Sequence, residues 1–535
     1  MKKIKSIMKK YRFYQVILCV FITISIIISV IFPIQLEKLI NEISSGGNFK
    51  IIMSIGTSLV AVTIISKLID NYLNYKWLIL AQKGIVDLRE HTFKAIFKKD
   101  FHEINSTSKG ILISKIMDDV NMVAQVYTIG IPMILMNGLN IIIIFIVLLF
   151  FSVELTLTTL VLLPIYYIVF NILNKRIRKN SNEERKEYAK ITSYIEETLN
   201  GIDTIKINGK DKYIINNFKG ILTKYFNFSR IKFLLNRISM GTNELIIAII
   251  PVLILVFGSF LITQRKLTLG GLMAYYTFMT NLYEPINNLS DAYVGFQTAK
   301  GMVHRVEDLL VDDEGENSQV KLKNIEKIEF KNVHFSYDEK KVFEDLNFSI
   351  KKGDKVSIVG ESGKGKTTLI KLLTGLYKVD SGYVLINNMN INDISKESLY
   401  KNISYLGQQP FIMNLSLKEN IIFGEENKVS EENIKYISKI CNIKDFITKN
   451  SLSYIINNSG TNLSGGEKQR ICLLRTLLKD HDILILDEAT SALDYESEEI
   501  IVNNLKDIID EDKILFIITH RKKLLELCNK SIVIQ

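Results

Sequence analysis

A chain of 535 residues is long enough for two to four domains, and a composition that is 47% apolar with a mean hydropathy of +0.16 excludes a disordered or purely soluble protein. The net charge of +10 and pI near 9.0 would also suit a nucleic-acid binder, but in a membrane chain surplus Lys and Arg collects in cytoplasmic loops, so no nucleic acid is expected as a partner. Cys19, Cys441, Cys472 and Cys528 lie far apart with no CxxC pair and no nearby His cluster, which points to buried apolar thiols in a reducing compartment and not to a disulfide framework or a zinc site.

Six uninterrupted apolar runs lie near 13–34, 51–72, 126–150, 155–173, 245–262 and 267–285. Each is long enough to span a bilayer, because about 20 residues rising ~1.5 Å apiece cover a hydrocarbon core of ~30 Å. A cleavable signal peptide does not account for the first run, since no small-residue cleavage site follows it and five further runs do. Pro33, Pro132, Pro164, Pro251 and Pro285 fall in or beside these runs, where neighbouring helices accommodate a kink. The leader MKKIKSIMKKYR has six basic residues and no acid, and Lys175, Arg176, Arg178 and Lys179 follow the fourth run, which predicts a cytoplasmic N-terminus; Arg265 and Lys266 in the third external turn are a mild exception. Lys67, Asp70, Asn137 and Asn140 are polar residues within the runs and so candidates for function, with Lys67 and Asp70 read first as a simple pair near the interface.

The two cytoplasmic connections, each about 45 to 70 residues long, read as polar helix and not as loop. They are expected to be helical arms continuing the spans. Each pair of arms is interrupted by a polar, glycine-containing break, 105–110 in the first and 200–209 in the second. Isolated arms of this length would bury little surface, so the breaks are expected to touch a partner domain. The acidic stretch 311–317 then separates the membrane half from a half of alternating strand-like and helix-like segments, the pattern of an α/β domain.

In that second half the β-branched run Lys355–Val359 leads into Gly360, Glu361, Ser362, Gly363, Lys364, Gly365, Lys366, Thr367 and Thr368, followed by the helix-like LIKLLTGLY. This is strand, GxxxxGKT, helix. Glycines let backbone N–H groups turn inward on a polyphosphate, the helix N-terminus adds its positive end, Lys366 reaches the β- and γ-phosphates, and Thr367 offers a hydroxyl to Mg²⁺. A second apolar strand, ILIL, ends in Asp487 and Glu488. In phosphate-loop nucleotidases an acidic residue at that place holds Mg²⁺, which suits Asp487, and the next carboxylate activates the attacking water, which suits Glu488.

Just upstream of that strand, Asn462-Leu463-Ser464-Gly465-Gly466-Glu467-Lys468-Gln469-Arg470 resembles the signature motif of ATP-binding cassette proteins, and the remaining motifs follow in that family's order. Tyr337 resembles the aromatic that stacks on adenine, Gln408 the glutamine of the coupling loop, Asp494 in SALD the D-loop aspartate, and His520 the switch histidine. The resemblance implies Glu488, His520 and Gln408 as catalytic residues, and Thr367, Gln408 and Asp487 around Mg²⁺. It further implies that Ser464, Gly465 and Gly466, with Asp494, serve an ATP held by a partner domain, so that two cassettes close head to tail. The membrane half is similar to the family's exporters with six spans fused ahead of one cassette. The implied fold is an all-α membrane domain of six helices and an α/β P-loop nucleotide-binding domain with a helical subdomain. Its expected divisions are 1–310, a linker 311–325, and 326–535, with the two breaks as coupling helices. The expected protein is a half-transporter in the cell membrane that works as a homodimer or heterodimer, surrounded by membrane lipid, and uses ATP and Mg²⁺ to export a peptide, lipid or small amphipathic substrate by alternating access. The alternative is a regulatory or scaffold half that binds ATP without moving cargo. Three departures stand out. Glu467 replaces the commoner glutamine, which should leave activity intact. Asn458 stands where an acid is usual, which bears on coupling. The chain stops at Gln535, directly after a strand-like segment and without the usual glycine turn and tail, which bears on cassette stability. No protease domain precedes the spans, so an exporter that trims its own cargo is not expected.

Overall fold

The computed structural model describes residues 2–310, 320–337, 340–361, 363–424, 429–457, 460–509 and 511–534. The acidic run 311–317, Ser362, Asn458 and Gln535 therefore lie outside the described residues. Two compact units emerge, Met1–Phe97 with Lys109–Leu310, and Lys98–Ser108 with Val311–Gln535.

The first unit is helical throughout. Its long helices are α1 (Arg12–Ser44), α2 (Phe49–Lys98, whose last residue belongs to the second unit), α3 (Ile131–Phe151), α4 (Val153–Asn200), α5 (Asp211–Thr263) and α6 (Leu269–Glu307). Among the described residues three helical stretches are long and apolar enough to cross a membrane, Lys3–Ser44, Phe49–Lys98 and Lys109–Phe151, and Ala248–Thr263 is a shorter apolar helix. The runs at 155–173 and 267–285 fall largely in α4 and α6. At 1.5 Å per residue the 50 residues of α2 extend about 75 Å, more than twice a hydrocarbon core. Phe13, Val20, Ile64, Leu68, Leu135 and Ile142 are exposed along these helices, a surface suited to lipid and not to water.

The tightest packing is on α6, where Tyr275, Phe278, Met279 and Leu282 are at most 2% exposed and the Tyr275 hydroxyl lies 3.0 Å from Thr159 Oγ1. Gly270 begins this helix where a Cβ would strike the Glu37 carbonyl of α1, and its N–H donates to Asn41 Oδ1 at 3.0 Å. Close packing of this kind, more than exclusion of water, holds helices together in lipid. In the arms, α4 and α5 are tied by Lys232 to Glu184 at 2.6 Å, by Tyr194 donating to the Ile214 carbonyl at 3.0 Å and by the stacked Tyr194 and Phe218 rings. The second break forms the six-residue helix Ile202–Ile207, bounded by Gly201 and Asn208.

In the second unit, the first break differs from expectation. Helix α2 already ends at Lys98, Asp100 accepts from His102 N at 2.9 Å to cap a short helix Phe101–Ser106, and the chain breaks again at Thr107 and Ser108. The capping carboxylate, and not a glycine, sets the start. Phe101 packs edge-on against Tyr377 at 5.5 Å with Lys371 5.8 Å from its ring, joining the apolar core of the cassette.

That core lies between two sheets. Strands β1 (Lys327–Tyr337), β2 (Lys340–Lys351), β3 (Lys355–Val359), β4 (Ser381–Ile386), β5 (Met389–Asn390), β6 (Ile403–Leu406), β7 (Ile483–Asp487), β8 (Ile514–Ile518) and β9 (Lys530–Val533) form an antiparallel sheet β2-β1-β4-β5 and a parallel sheet β6-β7-β8-β3-β9. Every residue of β7 and β8 is buried, as a parallel strand covered on both faces requires, which is why both read as unbroken apolar runs. Helix α7 (Lys366–Leu373) follows β3. Between β6 and β7 the described residues make four helices, Leu417–Ile422, Glu431–Ile440, Lys444–Asn450 and α8 (Gly465–Leu478), packed over a second apolar cluster that includes the buried Cys441 and Cys472. Helix α9 (Tyr495–Ile508) leads from β7 to β8.

Candidate functional site

Register gathers the site. In the parallel sheet Leu406 lies beside Leu486, Asp487 beside Ile518, and Ile518 beside Ile358, so the residues just past these positions emerge at one edge, the carboxyl ends of the strands. Gly360 follows β3, Gln408 follows β6, Glu488 follows β7 and His520 follows β8. In open α/β sheets this edge is where ligands bind.

The phosphate loop runs from Gly360 to the first turn of α7. Gly365 holds φ +105, and a Cβ there would meet Val342 Cγ1 at 2.6 Å, so both conformation and space require glycine. Lys366 Nζ donates to the carbonyls of Gly360 at 2.6 Å and Glu361 at 3.2 Å, folding across the loop it closes. The two threonines divide. Buried Thr368 meets the Tyr337 hydroxyl at 3.2 Å, while Thr367 is exposed with no hydroxyl bond among the described residues. Tyr337 is thereby anchored beside the loop, and its ring meets Phe335 and Tyr377 edge-on.

Asp487 is 2% exposed, and its Oδ2 has no hydrogen-bond partner. Burial, with the adjacent Glu488 carboxylate, pushes its pKa up to about 6, against a partial pull downward from Tyr405 and Lys366. Glu488 holds φ +52, a left-handed backbone that costs about 1–3 kcal/mol in a residue with a Cβ. Three contacts keep it there: its N–H donates to the Ile518 carbonyl at 2.8 Å, its carbonyl accepts from Gln469 Nε2 at 2.8 Å, and its Oε2 accepts from Gln408 Nε2 at 2.9 Å.

The signature residues open helix α8. Ser464 caps α8, its Oγ accepting from Glu467 N at 3.2 Å, while Glu467 Oε2 accepts from the Ser464 N–H at 2.7 Å and hydroxyl at 2.8 Å. The replacement carboxylate of Glu467 thus completes a capping box. Gly465 and Gly466 lie against Ala492 and Leu493. Asp494 caps α9, accepting from Ser497 N at 3.0 Å, and this bond holds its carboxyl below the usual range. His520 is exposed.

Four residues that sequence reasoning missed tie these pieces together. Gln469 bonds both Glu488 and the Ala492 N–H, the latter at 2.9 Å. Arg521 donates to buried Glu498 at 2.8 Å and to the carbonyls of Ser491 and Leu493 at 3.1 and 3.2 Å, and Tyr405 faces Asp487. Gln469, Arg521 and Tyr405, which stands three residues before Gln408, each sit inside or beside a recognised motif, a positional signal that was available; Glu498 had none.

A phosphate loop, a carboxylate at the end of a strand two places along the same sheet and a helical insert bearing a capped second helix define a nucleotide-hydrolysing cassette fused to a helical membrane domain. A family model for the ABC transporter transmembrane region matches residues 16–286, and one for the ABC transporter matches 343–491. The chain is 31% identical over 494 residues to the transport/processing ATP-binding protein ComA of Streptococcus pneumoniae, covering 90% of this chain and 68% of that protein. It is 32% identical over 462 residues to the ATP-dependent lipid A-core flippase of Legionella pneumophila, covering 85% and 78%. A solved structure of a bacterial Atm1-family ABC exporter with ATP bound superposes with a TM-score of 0.82 at 21% identity, over 99% of this chain and 94% of that one, a likeness of fold. The chain belongs to the ABC transporter family: it is a membrane protein that binds and hydrolyses ATP to drive export.

Proposed function

We propose that this chain is one half of an exporter whose two cassettes, from identical or related subunits, close on two ATP molecules. Half-transporters of the family generally dimerise. The geometry here supplies a reason, since one cassette carries a phosphate cradle at the sheet edge and a second set of donors at the capped start of α8. The single observation that carries the reading is the Gln408 to Glu488 hydrogen bond at 2.9 Å, beside a buried Asp487 oxygen left without a partner.

In this reading, residues 1–310 form a domain with six spans and cytoplasmic arms, 311–325 a linker, and 326–535 the cassette, with Phe101–Ser106 as a coupling helix seated on Tyr377. The basic leader places the N-terminus and cassette on the cytoplasmic side of the cell membrane. Tyr337 presents its ring to adenine. The loop 360–368 wraps the phosphates, and Lys366 exchanges its two carbonyl partners for phosphate oxygens. Glu488 accepts the proton of the attacking water, and Gln408 holds its carboxylate in place. His520 reaches the γ-phosphate, while Ser464, Gly465 and Gly466, with Asp494, meet the ATP of the partner subunit.

Mg²⁺ fits the residues present. Asp487 offers an orphaned buried oxygen, Thr367 a free hydroxyl, and Gln408 a carbonyl oxygen; no cluster of three or more His, Cys, Asp or Glu exists among the described residues, as expected where substrate phosphates complete the shell. When bound it would neutralise charge developing on the phosphates.

The test is Glu488→Gln in proteoliposomes. Turnover is expected to fall by at least ~100-fold, the usual contribution of a positioned base, with ATP still bound. Hydrolysis at the parental rate would overturn the assignment. The relatives' names span a transport/processing protein and a lipid A-core flippase, so kinship leaves the cargo open.

A further inference from the structure

Within the membrane unit, α1, α2, α3 and α6 enclose a cavity of about 480 Å³. Its wall is unusually rich in side-chain amides: Asn71, Asn74, Asn137, Asn140, Asn281 and Asn288. Two of them touch, Asn288 Nδ2 to Asn137 Oδ1 at 3.5 Å, and Asn137 also donates to the Met133 carbonyl at 2.8 Å. Asn71, Asn74, Asn140 and Asn281 hold no side-chain hydrogen bond among the described residues.

Charge in the cavity does not cancel. Asp70 accepts from Ser25 Oγ at 2.7 Å and stands 4.0 Å from Lys67, a pair with no net charge. Glu284, on the same wall, has no ion pair or hydrogen bond among the described residues. It lies fifteen residues from the start of α6 at Leu269, about 22 Å along the helix and next to the end of the apolar run 267–285. Polar and ionisable side chains in or beside spanning segments mark a substrate path by default, and Glu284, Asn71, Asn74 and Asn281 are all exposed to a ligand here. Each amide supplies two N–H donors and an acceptor oxygen. A peptide backbone offers the complementary alternation of N–H and C=O groups, and a basic side chain would neutralise Glu284. An acyl chain against the same wall would leave the amides unpaired at about 1–3 kcal/mol each.

From this arrangement we infer that the cargo is a short cationic peptide, with the asparagines of α2, α3 and α6 reading its amides and Glu284 selecting its charge. The inference rests on the exporter reading, which it deepens by naming the class of cargo.

Trp77 makes the test direct, because it lines the cavity, is buried and is the sole tryptophan of the chain. Full-length protein in phosphatidylcholine nanodiscs, without nucleotide, is titrated with three octapeptides that differ only in carrying two Lys, two Gln or two Glu, while Trp77 emission is followed. The Lys peptide should saturate the signal at a concentration at least tenfold lower than the Glu peptide. Glu284→Gln should remove most of that preference, and Glu284→Lys should invert it, a gain that misfolding could not produce. Equal response to all three peptides, persistence of the Lys preference in Glu284→Lys, or a response to lysophosphatidylcholine with none to peptide would overturn the inference. ATP hydrolysis in the same nanodiscs separates the two claims. Charge-selective binding without hydrolysis supports the cavity and removes the pump, whereas hydrolysis without charge selection overturns the cavity alone.

Discussion

Replacing Asp487 with asparagine should stabilise the nucleotide-free cassette while abolishing turnover. In the folded protein Asp487 takes up a proton near pH 6, pushed there from 3.8 chiefly by burial. An unfolded chain holds that carboxylate as an anion at little cost, so above pH 6 the folded state carries a penalty that the unfolded state lacks. At about 1.36 kcal/mol per pKa unit, the penalty at neutral pH is on the order of 3 kcal/mol. Asparagine keeps the shape and removes the charge, but its amide would be incompletely bonded at a cost of roughly 1 kcal/mol, leaving a net gain near 2 kcal/mol. For a domain of about 200 residues that raises Tm by roughly 4–8 °C. The assay is calorimetry of the detergent-solubilised protein in EDTA without nucleotide, with the cassette transition identified as the one that ATP and Mg²⁺ shift in the parent. The same linkage requires the parent to gain on the variant as pH falls from about 6 towards 4, the interval between the folded and unfolded pKa values, because the folded state binds the proton first. If the asparagine variant melts at or below the parent in EDTA, or the parent gains nothing on acidification, the burial argument for Asp487 is wrong.

Three further perturbations follow from the same contacts. Gln408→Ala removes the bond to Glu488 and should lower kcat about tenfold or more while the Kd for ATP, read by equilibrium binding, changes by less than about threefold; parallel losses in both would show that Gln408 serves binding instead. Arg521→Ala leaves Glu498, 3% exposed, with only Thr490 as a side-chain partner among the described residues, and should destabilise the cassette by about 3 kcal/mol in the same calorimetric assay, since a buried charge stripped of its partner is heavily penalised. Glu467→Gln keeps a cap on α8 but removes a negative charge from donors meant for a triphosphate. The half-maximal ATP concentration for hydrolysis should fall roughly threefold, the ~0.6 kcal/mol expected of one exposed charge, and an unchanged or raised value would place the triphosphate elsewhere.

Much of this architecture was legible because its causes are local. The strand Lys355–Val359 was read with its observed limits, and ILIL before Asp487 was readable because a doubly covered parallel strand has no polar face to break the run. The continuation of α2, α4 and α5 beyond the apolar runs was visible as helical pattern too long and too polar for a bilayer. Less visible was whatever depended on side-chain reach. Asp100 starts a helix that the glycine-based reading began later, since a single capping carboxylate looks like any surface charge until its backbone partner is known. The left-handed φ of Glu488 has no signature at all, because only the surrounding hydrogen bonds make it tolerable. Nor could spacing show that asparagines more than 200 residues apart, Asn71 and Asn281, line one cavity. Lys67 and Asp70 stand together as expected, though at 4.0 Å and with Asp70 also held by Ser25, they form part of that wall and not merely an isolated pair.

The strain at Glu488 also explains why the motifs are spaced as they are. A residue held at φ +52 returns to an ordinary conformation unless several bonds oppose it, and those bonds come from separate parts of the chain: Gln408 after β6, Ile518 at the end of β8, and Gln469 on the signature helix. Gln469 in turn fixes the Ala492 N–H, and Arg521, next to His520, grips the carbonyls on either side of that residue. Gln408, Glu488, helix α8, the 491–493 turn and Arg521 are therefore joined by direct hydrogen bonds around one strained residue. Displacing any one of them shifts what holds the Glu488 carboxylate, the group proposed to meet the water. That is the physical content of coupling in a cassette of this kind, since no single contact in the set has to be strong when all of them share one backbone conformation.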